Sequence, residues 1–262
     1  MQAATKSEIK NTTSLRLLSY NIQGGIETQA YHHYLMRSWQ HLLPHRRKQE
    51  NLDKVANLIS EYDIVALQET DAGSLRTSFM NQTEYLAKKA RFPFWFDQIN
   101  RNIGKFAQHS NGLLCKNNPH SVVEHKLPGL IPGRGALSAR FSIADQELVI
   151  VVAHLALGKQ TRMRQLEFIS NLIKIEKHVI LMGDLNCESN SAEMRYLFDK
   201  THLSEPTQNQ HTFPSWKPKR NIDHILVSNS VKVTEVKVLT HGISDHLPVA
   251  MDIQLNNSGV KH

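Results

Sequence analysis

Apolar residues along this chain recur in short runs separated by polar segments: Leu15–Ile22, Ile64–Leu67, Gly112–Cys115, Leu137–Phe141, Leu148–Leu155, Val179–Met182, Ile222–Val227 and Pro248–Ile253. Runs of this length, rich in Val, Ile and Leu, read as buried strands. Two stretches between them follow the helical period instead. In Gln49–Glu61 the residues Leu52, Val55, Ala56 and Ile59 fall on one face, and in Thr161–Ile175 so do Leu166, Ile169, Leu172 and Ile173. Strands and helices mix over the whole length, with no repeat, low-complexity tract or Pro/Gly/Ser linker. The pattern therefore predicts one α/β or α+β domain over residues 15–255, with a disordered or loosely attached N-terminus at 1–14 and a C-terminal tail at 256–262. It does not give the order of strands in the sheet.

Composition supports a soluble domain: 40% of the 262 residues are hydrophobic, enough for a full core, while no run approaches the roughly 18 apolar residues of a membrane span. Cys115 and Cys187 lie in separate segments, so a disulfide framework is not expected. The N-terminal MQAATKSEIKNTTS lacks the apolar stretch of a signal peptide, and the expectation is a cytoplasmic monomer. A net charge of +7 favours a polyanionic partner, either nucleic acid such as DNA or an anionic lipid surface. The stretch Tyr31–Lys48 mixes aromatic and basic residues. It fits a grip on nucleic acid, a membrane-surface segment and a plain helical hairpin equally well.

The chemistry enters where the apolar runs end. LRLLSYN closes on Asn21, DIVALQE on Glu69, LVIVVAH on His154, and VILMGDLN on Asp184 and Asn186, while Ser244, Asp245 and His246 precede LPVAMDI. Strand ends lie at the rim of a sheet, where loops build sites on a rigid scaffold. Asp184 and Asn186 are two apart, so extended chain would project both from one face. Asp245 and His246 are adjacent and can serve one site only from a loop. In NIDHILVS, Asp223 shares a face with Ile225 and Val227 while His224 points away. Asp223 is thus expected to be the buried member, in need of a partner such as an imidazolium.

These segments, SYNIQGG, DIVALQET, NGLLCKN, AHLALG, LMGDLNCE, NIDHILVS and GISDHLPVAMDI, resemble in order the endonuclease/exonuclease/phosphatase superfamily. That group includes DNase I, exonuclease III, AP endonucleases, neutral sphingomyelinases and inositol-phosphate 5-phosphatases. The resemblance implies a four-layer α+β sandwich, two packed central sheets with helices outside. It also implies a Mg²⁺-dependent phosphoesterase in which Mn²⁺ substitutes. In that pattern Glu69 is the principal metal ligand, with Asn21 and Asp245 close to the metal. Asp184 orients or deprotonates the attacking water, Asn186 holds the scissile phosphate, and His246 stabilises transition-state charge, oriented by Asp223. His154 matches the general-acid His of the DNase I and sphingomyelinase branches. Exonuclease III and AP endonucleases carry Tyr-x-Pro-Asn where this chain has His154-Leu-Ala-Leu, and the Trp-x-Gly-Asp-x-Asn-Tyr-Arg of the 5-phosphatases reads LMGDLNCE here. Both departures favour a DNase-like or lipase-like branch.

Arg134 and Arg164 are the candidate substrate contacts. Arg134 lies between two glycines that equally mark a turn, and Arg162 and Arg164 are equally solvated helix positions. GKQT at 158–161 lacks the upstream Gly of a P-loop, and H-E-x-x-H and G-x-S-x-G are absent, which excludes those chemistries. The leading reading is a DNase-like nuclease. A phospholipid or sphingomyelinase-like phosphodiesterase or phosphatase stands second, and a binding protein on the same fold that has lost catalysis stands third. The complete residue set speaks against the last.

Overall fold

A computed structural model describes residues 12–23, 46–74, 77, 79–103, 107–129, 133–206, 210–240 and 243–256, the side chains of 12, 46–48, 101–103, 107–108 and 256 excepted. The segment 1–11 and most of Tyr31–Lys48 lie outside the described residues; of the latter, only 46–48 are placed, as the start of a helix.

Two six-stranded sheets form the centre. The first has the order β11 (Lys232–Val238), β12 (Val249–Asn256), β1 (Thr12–Asn21), β2 (Ile64–Asp71), β4 (Ala107–Cys115), β3 (Phe94–Ile103). The second runs β5 (Ser121–Lys126), β6 (Gly135–Ile143), β7 (Gln146–His154), β8 (His178–Asp184), β10 (Asp223–Ser228), β9 (Leu203–Ser204). Both are mixed: β1 and β2 are parallel, as are β7 and β8, and the other pairs are antiparallel. Alternate residues such as Leu17, Ala66 and Leu113 from one sheet and Leu137, Ile150 and Met182 from the other fill the space between them.

The outer faces are covered by helices. α1 (Arg46–Ile59) and α2 (Gln82–Ala90) cover the first sheet, where Leu52, Val55, Ala56 and Ile59 meet Leu18, Val65 and Leu114. α3 (Lys159–Ile173) and α4 (Ala192–Lys200) cover the second through Leu166, Ile169, Ile173 and Leu197. This is the four-layer α+β sandwich that the resemblance implied, and both predicted amphipathic faces are the buried ones. No helix among the described residues is long and apolar enough to cross a membrane.

The periodicity missed α2, α4 and the strands β3, β5, β9 and β11. β3, β5, β9 and β11 are the sheet edges. β5 and β11 keep one face in solvent, so their apolar content is diluted below a recognisable run. The two short helices start on recognisable caps, the side chains of Asn81 and Ser191 accepting from the amides of Glu84 and Met194. Cys115 and Cys187 are buried free thiols in different layers.

Candidate active site

Eight of the ten predicted residues meet at one end of the sandwich, Arg134 and Arg164 being the exceptions. Register aligns three of them in a row across the second sheet: His154 pairs with Asp184, and Asp184 with Asp223. Paired residues share a face, so the three side chains stand side by side. His154 Nε2 is 3.4 Å from Asp184 Oδ2. From the first sheet, Asn21 at the end of β1 donates its Nδ2 to Asp184 Oδ2 at 3.1 Å and to Glu69 Oε1 at 3.3 Å, joining the two sheets. Its Oδ1 accepts from the amide of Gln23. Asn21 therefore presents its NH₂ to the carboxylates, and its oxygen is occupied on the other side.

Glu69 does not close its strand, as the apolar pattern implied. β2 continues to Asp71, and Glu69 sits in a bulge where the pairing with β4 slips between Leu67 and Thr70. Its φ of 56° lies in the left-handed region, a local cost that turns one side chain out of the regular alternation. The loop beyond is fixed by Asp71, whose carboxylate accepts from the amides of Gly73 and Ser74 and from the Ser74 hydroxyl.

Asp184 and Asn186 converge by a different route from the one expected. Asp184 ends β8, and the chain turns at Asn186, which has φ 53°, so strand alternation does not apply. The Asn186 amide donates to Asp184 Oδ1 at 3.0 Å, and its side-chain Nδ2 to the Leu155 carbonyl beside His154 at 2.9 Å. Gly183 makes this corner possible. Its φ is +145°, and a Cβ there would lie 1.9 Å from the Ala153 carbonyl oxygen.

The bend preceding β12 supplies Asp245 and His246. His246 Nδ1 donates to Asp223 at 2.9 Å, the imidazole partner expected for that aspartate. Its Nε2 stands 3.9 Å from both Asp184 Oδ2 and Asp245 Oδ1, beyond hydrogen-bond reach, and is left open to a third group. His224 departs from expectation: Asp223 is buried between the sheets, but His224 is buried as well, on the opposite face. A central strand of a four-layer sandwich is covered on both sides.

Electrostatics follow from crowding. Burial, with the Asp223 and Glu69 charges against the opposing pull of His246, pushes Asp184 up to about 7. Burial and Glu69 likewise push Asp245 up to about 6, again against His246. Burial alone would lower His246, but the charge and hydrogen bond of Asp223, with Asp184 and Asp245 behind it, raise it to about 10. His154 moves the other way. Burial and the positive charges of Arg134, His246 and His109 hold it well below 6.5 and keep it neutral. Acceptor oxygens thus outnumber the one stable cation, and two carboxylates are strained upward. That donor chemistry fits a hard divalent cation, which binds oxygen and relieves carboxylate repulsion. Among the described residues, ligand atoms of Asp184, Asp223 and His246 lie within 4.8 Å of one another. Asp223 is already taken by His246 and by the Thr212 hydroxyl at 2.6 Å, whereas Glu69 and Asp245 are the partly exposed carboxylates at the mouth.

Arg134 lies close enough to lower the His154 pKa and so belongs to the site's surroundings. Arg164 is exposed on α3. Arg162 is structural, donating to Glu193 of α4 at 2.8 Å and to the carbonyls of Ala156 and Leu157. Sequence reasoning missed Thr212, which donates to Asp223, and Phe213, whose ring lies 4.8 Å from the His246 ring. Both come from a loop without apolar periodicity, and the only signal was its position just ahead of NIDH. Ser244 also belongs here, donating its hydroxyl to Asp245 and accepting from the His246 amide.

Residues 18–246 match the family model described as "Endonuclease/Exonuclease/phosphatase family". No curated protein matches the chain. Solved structures share the fold at low identity. An endonuclease/exonuclease/phosphatase family protein from Bacteroides thetaiotaomicron superposes with a TM-score of 0.73 at 18% identity, covering 94% of this chain and 99% of that one. A mannosyl-6-phosphatase from the same organism gives 0.68 at 18% identity, covering 91% and 99%. D. rerio TDP2 complexed with single-strand DNA product gives 0.67 at 17% identity, covering 92% and 99%.

Proposed function

Because the chain belongs to the endonuclease/exonuclease/phosphatase family, whose members are hydrolases of phosphoester bonds and generally need a divalent metal, we propose that it hydrolyses phosphodiesters of nucleic acid at this cluster with Mg²⁺. The observation that carries the hydrolytic reading is the pairing around Asp184: a buried carboxylate raised to about 7 beside a His246 held protonated by Asp223.

Glu69 and Asp245 would hold the cation, with Asn21 fixing the Glu69 and Asp184 carboxylates through its NH₂. When bound, Mg²⁺ supplies Lewis-acid stabilisation of phosphoryl charge. Asp184 is the base: its raised pKa matches proton abstraction from water near neutrality. Asn186, whose Nδ2 gives one hydrogen to the Leu155 carbonyl, would give the other to a phosphoryl oxygen. His246 presents its open Nε2–H to the same group and stabilises the charge that develops there. His154, neutral and 3.4 Å from Asp184, is assigned to orienting the base and the phosphate, so the proton for the leaving oxygen falls to His246. Arg134, whose charge reaches His154, would contact the phosphate from the flank, and Arg164, exposed on α3, would contact substrate beyond it.

DNA is favoured by the +7 charge, and the lipid alternative rests on the same cluster. Purified protein with Mg²⁺ is offered plasmid DNA and RNA beside a phospholipid panel. Cleavage of nucleic acid alone supports the proposal. Cleavage of lipid alone transfers the site to the second substrate class.

A further inference from the structure

The segment from Arg220 to His224 holds the turn that carries Asn186 at successive points. Arg220 Nε donates to Glu188 at 3.2 Å, Asn221 exchanges hydrogen bonds with Ser189, and the Leu185 amide donates to the Ile222 carbonyl at 2.9 Å. The innermost contact is His224. It is fully buried, with Nε2 2.8 Å from the Cys187 carbonyl and Nδ1 2.6 Å from Glu205 Oε1, itself buried. A carbonyl only accepts, so Nε2 must carry a hydrogen wherever the proton on the Glu205–Nδ1 bond resides. Glu205 thereby keeps a hydrogen on the nitrogen that grips Cys187, the logic by which an outer carboxylate sets an imidazole. Asn186, one residue earlier, sits at φ 53° and needs such external restraint to stay there.

We infer that His224, with its proton fixed by Glu205, is a positioning residue for Asn186. It pins the peptide behind that residue so that the side chain faces the scissile phosphate without touching substrate itself. The inference rests on the proposed function only in giving Asn186 a phosphate to hold.

The test combines hydrolysis with hydrogen exchange on the full chain. His224→Gln and Glu205→Leu should lower kcat/KM on the best nucleic-acid substrate about 10-fold or more, as loss of an orienting partner typically does. The Mg²⁺ concentration for half activation should stay within about twofold, because no proposed metal contact is altered. Glu205→Gln, whose side-chain NH₂ can donate to an unprotonated Nδ1 and so keep the hydrogen on Nε2, should restore most activity. The Asn186→Ala/His224→Gln double variant should be no slower than Asn186→Ala alone, since both remove one function. Multiplicative losses would overturn the inference. Amides of the 185–189 turn should exchange about 10-fold faster in the His224 and Glu205→Leu variants while β7 and β8 keep their protection. Unchanged exchange in the turn would overturn it as well. If the wild type cleaves no phosphoester, the proposed function falls, and the exchange result still decides the inference. If His224→Gln does not fold, Glu205→Leu against Glu205→Gln carries the comparison.

Discussion

Asp223 accepts the Nδ1 hydrogen of His246 at 2.9 Å, and this one contact fixes both the charge of the imidazole and the direction of its free Nε2. Asp223→Asn should keep the fold and some orientation but remove the charge that holds the imidazolium. We expect kcat to fall about 10- to 100-fold with the Mg²⁺ requirement unchanged, measured by steady-state kinetics over a metal titration. Near wild-type kcat would mean that His246 needs no such partner.

Asp184→Asn and His246→Ala would remove the proposed base and the proposed charge stabiliser. Each should cost at least about 10²–10³-fold in kcat with circular dichroism unchanged. A folded variant retaining a tenth of the wild-type rate would remove that residue from the assigned role.

Gly183→Ala tests the corner that brings Asp184 to His154. The added Cβ would sit 1.9 Å from the Ala153 carbonyl oxygen, and the backbone lies where L side chains rarely go. Thermal unfolding should show a large loss of stability, or no soluble protein, whereas Gly158→Ala, with open space around it, should be mild.

The His224–Glu205 pair sets a pH signature of stability. Burial alone would lower the His224 pKa, but the hydrogen bond and charge of Glu205 raise it above 6.5. Burial alone would raise Glu205, but His224 lowers it below 4.5. The raised His contributes fully below about 6.5 and loses its contribution as pH rises through its folded pKa. The lowered Glu contributes above about 4.5 and loses it as pH falls through its folded pKa. The Tm difference between wild type and Glu205→Leu should therefore be largest between about pH 4.5 and 6.5 and shrink on the alkaline side. A difference that is flat from pH 5 to 10 would argue against a charged pair.

Much of the site was legible because its residues interrupt apolar runs. A carboxylate, amide or imidazole closing a Val/Ile/Leu strand stands out, and Asn21, His154 and Asp184 do close their strands. What was not legible depended on backbone irregularity. The bulge at Glu69 and the left-handed Asn186 break the alternation on which facing arguments rely. The burial of His224 escaped because single-strand alternation says nothing of a second covered face. The edge strands β5 and β11 escaped for the converse reason, each offering only part of one face to the core. The resemblance brought in the sheet packing and the roles, which periodicity alone does not contain.

The most direct test of a cation-dependent phosphodiesterase centred on Glu69 and Asp184 is a Mg²⁺ titration of DNA hydrolysis by wild type and Glu69→Gln, each first stripped with EDTA. Activity should vanish in chelator and return with Mg²⁺ or Mn²⁺, and the half-activation concentration should rise at least about tenfold in Glu69→Gln. Full hydrolysis in EDTA, or identical titration curves for the two proteins, would contradict cation dependence at Glu69.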